Sequence, residues 1–106
     1  MSRHVFKTSQ NVEIHMGFDR PLQRLYMTIY KNSDEPDEEM LYDDLDDPSC
    51  STFTDHLKPV MDQLNHFKSR INEVGKGQWN VPDEMYVAVI DDSFNQRVNE
   101  DTKYYG

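Results

Sequence analysis

Eight apolar residues, Phe53, Leu57, Val60, Met61, Leu64, Phe67, Ile71 and Val74, recur mainly at spacings of three and four along the second half of a 106-residue chain. That period places them on one stripe of a long amphipathic helix, and such a stripe is stable only when buried against a second apolar surface. Thr54 or Asp55 is suited to cap its start, Pro59 falls in or just after the first turn, and Gly75 with Gly77 ends it. The chain must therefore also supply a partner layer. Val12, Ile14, Met16 and Phe18 alternate with more polar residues, as do Leu25, Met27 and Ile29, which is the period of strands with one buried face. His4 to Thr8 pairs with the first of these across the turn Ser9-Gln10-Asn11, giving a three-stranded meander, and Met40-Leu41-Tyr42 adds a fourth, edge strand.

Past Trp79, the run Asn80-Val81-Pro82-Asp83-Glu84 reads as a helix start, with Val81, Met85, Ala88 and Val89 on one face, although Tyr86 to Ile90 would also suit a strand. The tail from Asn95 is expected to fray. At this length the chain has room for one core. The expectation is a single α+β domain spanning 1–106: an N-terminal antiparallel sheet of three to four strands, covered by one long amphipathic helix, with a shorter C-terminal helix.

The charge is unevenly placed. Of 20 acidic residues against 11 basic ones, nine lie in the fourteen residues DEPDEEMLYDDLDD, positions 34–47, leaving the remainder neutral overall. If extended, this segment would span about 46 Å, or about one carboxylate per 5 Å, against one phosphate per ~3.4 Å along a DNA strand. It would then present a phosphate-like row to a groove built for nucleic acid. Asp34, Glu35, Asp37, Glu38, Glu39, Asp43, Asp44, Asp46 and Asp47 form the candidate binding surface, with Leu41 and Tyr42, beside Met40 and Leu45, as apolar anchors. On this reading none of the carboxylates is buried, and replacing Asp43, Asp44, Asp46 and Asp47 by Asn leaves the fold intact. The competing reading is a solvated loop that keeps the protein dissolved.

Chemical motifs are sparse. Asp44, Asp46 and Asp55 match positions 1, 3 and 12 of a calcium loop, but Pro48 and Ser49 occupy positions 5 and 6, where a ligand and a glycine are needed. Asp62 and His66 share a helix face without completing a ligand set, so neither a metal nor another cofactor is expected and chelators should leave stability unchanged. Cys50, the single cysteine, follows Asp46 and Asp47, whose charge disfavours a thiolate. The Ser–His–Asp order, phosphate-binding glycine loop and HExxH motif are all missing from the string, so no catalytic residues are assigned and no enzymatic activity is expected. Dispersed Arg3, Lys7, Arg20, Arg24 and Lys31 in an acidic chain argue against direct nucleic-acid binding. The opening MSRHVFKTSQ has no apolar core of a signal peptide and no later run has the length of a membrane span, so a cytoplasmic protein without membrane partners is expected.

The strings MSRHVF, GFDRPLQRLYMTIY and VPDEM, leading to Asp92 and Asn99, resemble a group of small uncharacterised bacterial and mobile-element proteins whose N-terminal hairpin carries Gly, an aromatic residue and Asp-Arg-Pro-Leu. The resemblance implies the same order of elements and brings no activity with it. Within Gly17 to Leu22, glycine would permit a positive φ, Asp19 would bond the backbone of a tight corner, and Pro21 would fix φ. The functional expectation is a non-enzymatic acidic protein that binds and blocks a basic protein surface, foremost on a nucleic-acid-handling complex. Its composition is similar to that of anti-CRISPR and anti-restriction inhibitors. The alternatives are an immunity or antitoxin protein neutralising a basic toxin, or an accessory subunit of a housekeeping complex.

Overall fold

A computed structural model describes residues 2–32, 35–50, 59–96 and 102–105. Five strands, β1 (His4–Lys7), β2 (Val12–Asp19), β3 (Arg24–Lys31), β4 (Glu39–Asp43) and β5 (Lys103–Tyr105), form one sheet in the order β4-β3-β2-β1-β5. The helices α1 (Val60–Gly75) and α2 (Asp83–Phe94) lie on one face of it, α1 against β3 and α2 against β1 and β2. The α+β class expected from the sequence is the one found.

The alternation read from the sequence sets the faces. Val12, Ile14, Met16 and Phe18 on β2 and Leu25, Met27 and Ile29 on β3 are all buried beneath the helices, joined by Leu64, Phe67 and Ile71 of α1 and Met85 and Val89 of α2. In the β2–β3 register Ile14 faces Ile29 and Met16 faces Met27, so cross-strand neighbours meet on the same face. The opposite face carries Glu13, His15, Tyr26, Thr28 and Tyr30, where the His15 and Tyr30 rings meet edge-on with centroids 5.2 Å apart. Burial holds the His15 imidazole below its ordinary pKa, with Glu13 pulling the other way.

Several local expectations change. Gly17 is not a turn residue: it sits inside β2 opposite Tyr26, where an added Cβ would overlap the Ser2 carbonyl and the Tyr26 ring. Ser2 is held there by Phe18 N–H donating to its hydroxyl (2.8 Å) and by the Tyr26 hydroxyl donating to its carbonyl (2.6 Å). The corner that follows is closed by Gln23, with φ of 53°, and by Leu22 N–H donating to Asp19 Oδ1 at 3.4 Å. The helix stripe narrows, because Met61 is 49% exposed while Gln63 takes a buried position. Pro59 stands at the N-cap, and α1 ends as Lys76 turns left-handed, with its N–H and that of Gly77 bonding the Asn72 carbonyl. Gly75 is the last helical residue, and its bare Cα accepts the Trp79 ring. Phe53, Thr54, Asp55 and Leu57 lie outside the described residues.

The segment 83–94 is a helix, with Pro82 rather than Asn80 at its N-cap. The tail is not wholly frayed: β5 pairs in parallel with β1, a fifth strand beyond the three or four expected. It is fastened by the buried His4, whose Nε2 lies 2.6 Å from Asp92 Oδ2 on α2 and whose Nδ1 lies 2.9 Å from the Tyr105 hydroxyl.

Truncating the core side of the stripe should separate cleanly from truncating its rim. Phe67→Ala and Met85→Ala are expected to cost about 2–5 kcal/mol each in urea unfolding. Met61→Ala should stay within about 0.5 kcal/mol of the parent. Equal losses for all three would contradict the described burial.

Candidate functional site

The acidic segment runs along the β4 edge of the sheet, and the fold divides its carboxylates into two groups. Glu35 and Asp37 to Glu39 precede or begin β4 and are exposed, as is Asp46, while Asp43 is half-buried on the last residue of the strand. The loop before β4 is folded back by hydrogen bonds from Glu35 N–H to the Asn32 carbonyl and from Glu38 N–H to the Glu35 carbonyl. The segment is therefore not a straight row of about 46 Å; its exposed acids lie in the folded-back loop that leads into β4 and, with Asp46, in the turn that leaves it. Asp34 lies outside the described residues.

Asp44 and Asp47 turn inward, contrary to the expectation that the block is solvated throughout. β4 pairs with β3 only from Thr28 to Lys31, which leaves the outer edge of β3 uncovered near its start. Backbone donors there must be satisfied if buried. Leu25 N–H donates to Gln63 Oε1 on α1 (2.9 Å), and Met27 N–H donates to Asp44 Oδ1 (3.2 Å). Asp44 opens a short 3-10 turn (Asp44–Asp46), and its other oxygen accepts from Arg24 Nη2 at 2.5 Å, with both side chains about 5% exposed. Burial raises the Asp44 carboxyl above its ordinary pKa, and Arg24 offsets part of that cost.

Asp47 is a second inward hub. Its Oδ2 accepts from the Tyr42 hydroxyl (2.7 Å) and Arg70 Nε (3.0 Å) and lies 2.9 Å from His66 Nε2, while Oδ1 accepts from Ser49 N–H (3.0 Å). Burial alone would push this carboxyl up, yet the bonds from Tyr42, His66 and Arg70 outweigh it and hold Asp47 far below the usual carboxylate range. Burial, before any neighbouring charge, pushes the Cys50 thiol up to about 11. Of the two acids named from the sequence as its cause, Asp47 acts in the same direction but less than burial, and it is joined by Asp44.

The proposed apolar anchors also divide. A bulge opposite Ile29 and Tyr30 lets Leu41 and Tyr42 both pack against the core, so each is partly buried. Met40 (49% exposed) and Leu45 (75% exposed) are the apolar side chains presented beside the acids. Between β4 and α1 opens a cleft of about 420 Å³, walled by Met40, Tyr42 and Asp46 on one side and by Arg70, Glu73 and Val74 on the other. The paired Arg70 side chain, which also donates to Glu73 Oε2 at 2.7 Å, makes this wall part of the same ionic network.

The inward pairs escaped sequence reading because Arg24 and Asp44 are 20 residues apart and Asp47 and His66 are 19 apart, with nothing local to couple them. Comparison of the chain with protein-family models, curated proteins and solved structures finds no match.

The division of the acids is testable by single substitutions. Asp44→Asn should cost about 3–5 kcal/mol, since it leaves the Arg24 guanidinium buried without its charge partner. Asp47→Ala should cost about 1–3 kcal/mol per buried donor it orphans. Asp43→Asn and Asp46→Asn should be nearly neutral, so the fourfold Asn variant is expected to destabilise the fold rather than spare it. The pH dependence follows from Asp47 having a folded pKa below its unfolded value of about 3.9. Its contribution is present above pH ~4 and is lost as pH falls further toward the folded pKa, so Asp47→Asn should flatten that part of the acid unfolding curve.

Proposed function

We propose that this protein is a non-enzymatic interaction module that binds and blocks a basic surface on a nucleic-acid-handling complex, in the manner of an anti-CRISPR or anti-restriction inhibitor. One observation supports the reading above others. Glu35, Asp37, Glu38, Glu39 and Asp46 are exposed near one sheet edge together with exposed Met40 and Leu45, while the acids the fold itself needs are turned inward. Charge of one sign steers a basic partner toward the patch, and the two apolar side chains supply contact area that charges in water do not. Asp37, Glu38 and Glu39 are consecutive and all exposed, which concentrates charge of one sign where the chain enters β4. The mimicry is thus confined to a short patch and does not extend to a long row.

The test uses the partner retained by the protein from cell lysate at low salt and released at high salt. Glu35→Gln, Asp37→Asn, Glu38→Gln and Glu39→Gln combined should slow association about tenfold or more at low salt and flatten its salt dependence, with dissociation changed little. Leu45→Ala should instead speed dissociation. An unchanged association rate and salt slope in the fourfold variant would reduce the patch to a device for keeping the protein dissolved.

A further inference from the structure

The turn after β4 brings three unlike donors together. Asp47 and Cys50 come from that turn and His66 from the second turn of α1, and one ligand atom from each lies within 4.8 Å of the others. The site is enclosed: the Asp47 side chain is 6% exposed, that of His66 20%, and Cys50 1%. A fourth polar atom reaches the same space, because the Tyr42 hydroxyl is 2.7 Å from Asp47 Oδ2 and 3.7 Å from Cys50 Sγ.

We propose that Asp47, Cys50 and His66 bind one zinc-class divalent cation, with its fourth position facing the Tyr42 hydroxyl. One sulfur, one imidazole nitrogen and one carboxylate oxygen form a donor set suited to a borderline-soft tetrahedral cation and poorly suited to magnesium or calcium. Bonds of about 2.0–2.3 Å imply donors about 3.3–3.8 Å apart, so Asp47 and His66 separate slightly and Cys50 draws in, all by about 1 Å or less. Coordination by His66 Nε2 puts the ring proton on Nδ1. Burial keeps the proton on the Cys50 sulfur, and a thiophilic cation displaces such a proton outright, releasing it to solvent. Arg70 Nε, already 3.0 Å from Asp47 Oδ2, is placed to orient the carboxylate from outside the ligand sphere. Access is through the cleft whose wall includes Tyr42, Asp47 and Arg70.

This site stands independently of the acidic patch. It would fasten the chain just after the exposed acids to α1. It also reverses the sequence expectation that chelators have no effect, which considered only donors close along the chain.

The test is titration of the chelator-treated full-length protein with cobalt(II). The expected result is saturation at one equivalent, with visible bands of four-coordinate cobalt and a near-ultraviolet thiolate charge-transfer band. Cys50→Ser should lose the charge-transfer band, and His66→Gln should weaken binding at least tenfold. Zinc at about 100 times its Kd should raise Tm by about 10 °C in the parent protein. Each variant's circular dichroism is compared with the parent's, and the parent titration stands even if a variant fails to fold. Absence of the spectrum in the folded parent would overturn the site, as would a charge-transfer band that survives Cys50→Ser. Equal stabilisation by magnesium would assign cation binding to the exposed acids and overturn it too.

Discussion

The ion pair between Arg24 and Asp44 is the constraint on which the β4 side of the molecule depends. A guanidinium at the start of β3 is buried, and Asp44 meets it while also accepting the Met27 amide that β4 is too short to reach. Removing two charges from water is expensive, and a well-packed apolar pair of similar volume is often as stable. Geometry is what the pair secures. It fixes where the chain leaves β4, and thereby which of the following acids point inward and which outward. Asp47, three residues on, then reaches Tyr42, His66 and Arg70, locking the same turn against α1.

Much of the fold was legible because it rests on periodicity. The alternation through Val12 to Phe18 and Leu25 to Ile29 identified the sheet and its buried face, and the spacing of Leu64, Phe67 and Ile71 identified the covering helix. Those signals are local, repeated and independent of distant partners. β5 carried no such signal. Three residues, Lys103 to Tyr105, are too few for a period, and their strand character comes from pairing with β1 and from the His4–Asp92–Tyr105 chain of hydrogen bonds. Gly17 was misread for a related reason. Its role depends on Ser2 and Tyr26 lying against it, whereas a glycine beside Asp-Arg-Pro suggests a turn when seen only along the chain.

The candidate site was legible as composition and illegible as geometry. Nine carboxylates in fourteen residues announce a local charge, and nothing in that string separates Asp44 and Asp47 from Asp43 and Asp46. The difference is made by Arg24, His66 and Arg70, contributed by β3 and α1. The same holds for Leu41 and Tyr42, whose alternation would send them to opposite faces of a regular strand. The bulge at Ile29 and Tyr30 turns both toward the core and leaves Met40 and Leu45 exposed. A single dense block is thus divided, with Asp44 and Asp47 built into the scaffold and Glu35, Asp37, Glu38, Glu39 and Asp46 exposed.

A double-mutant cycle on the Arg24–Asp44 pair tests this account most directly. Arg24→Met and Asp44→Leu each break the buried ion pair and should each cost about 3–5 kcal/mol, while the combined variant should lose far less than their sum. Unfolding free energies that simply add would mean that the two side chains do not share a buried site, and the division of the acidic segment into inner and outer groups would fall with that result.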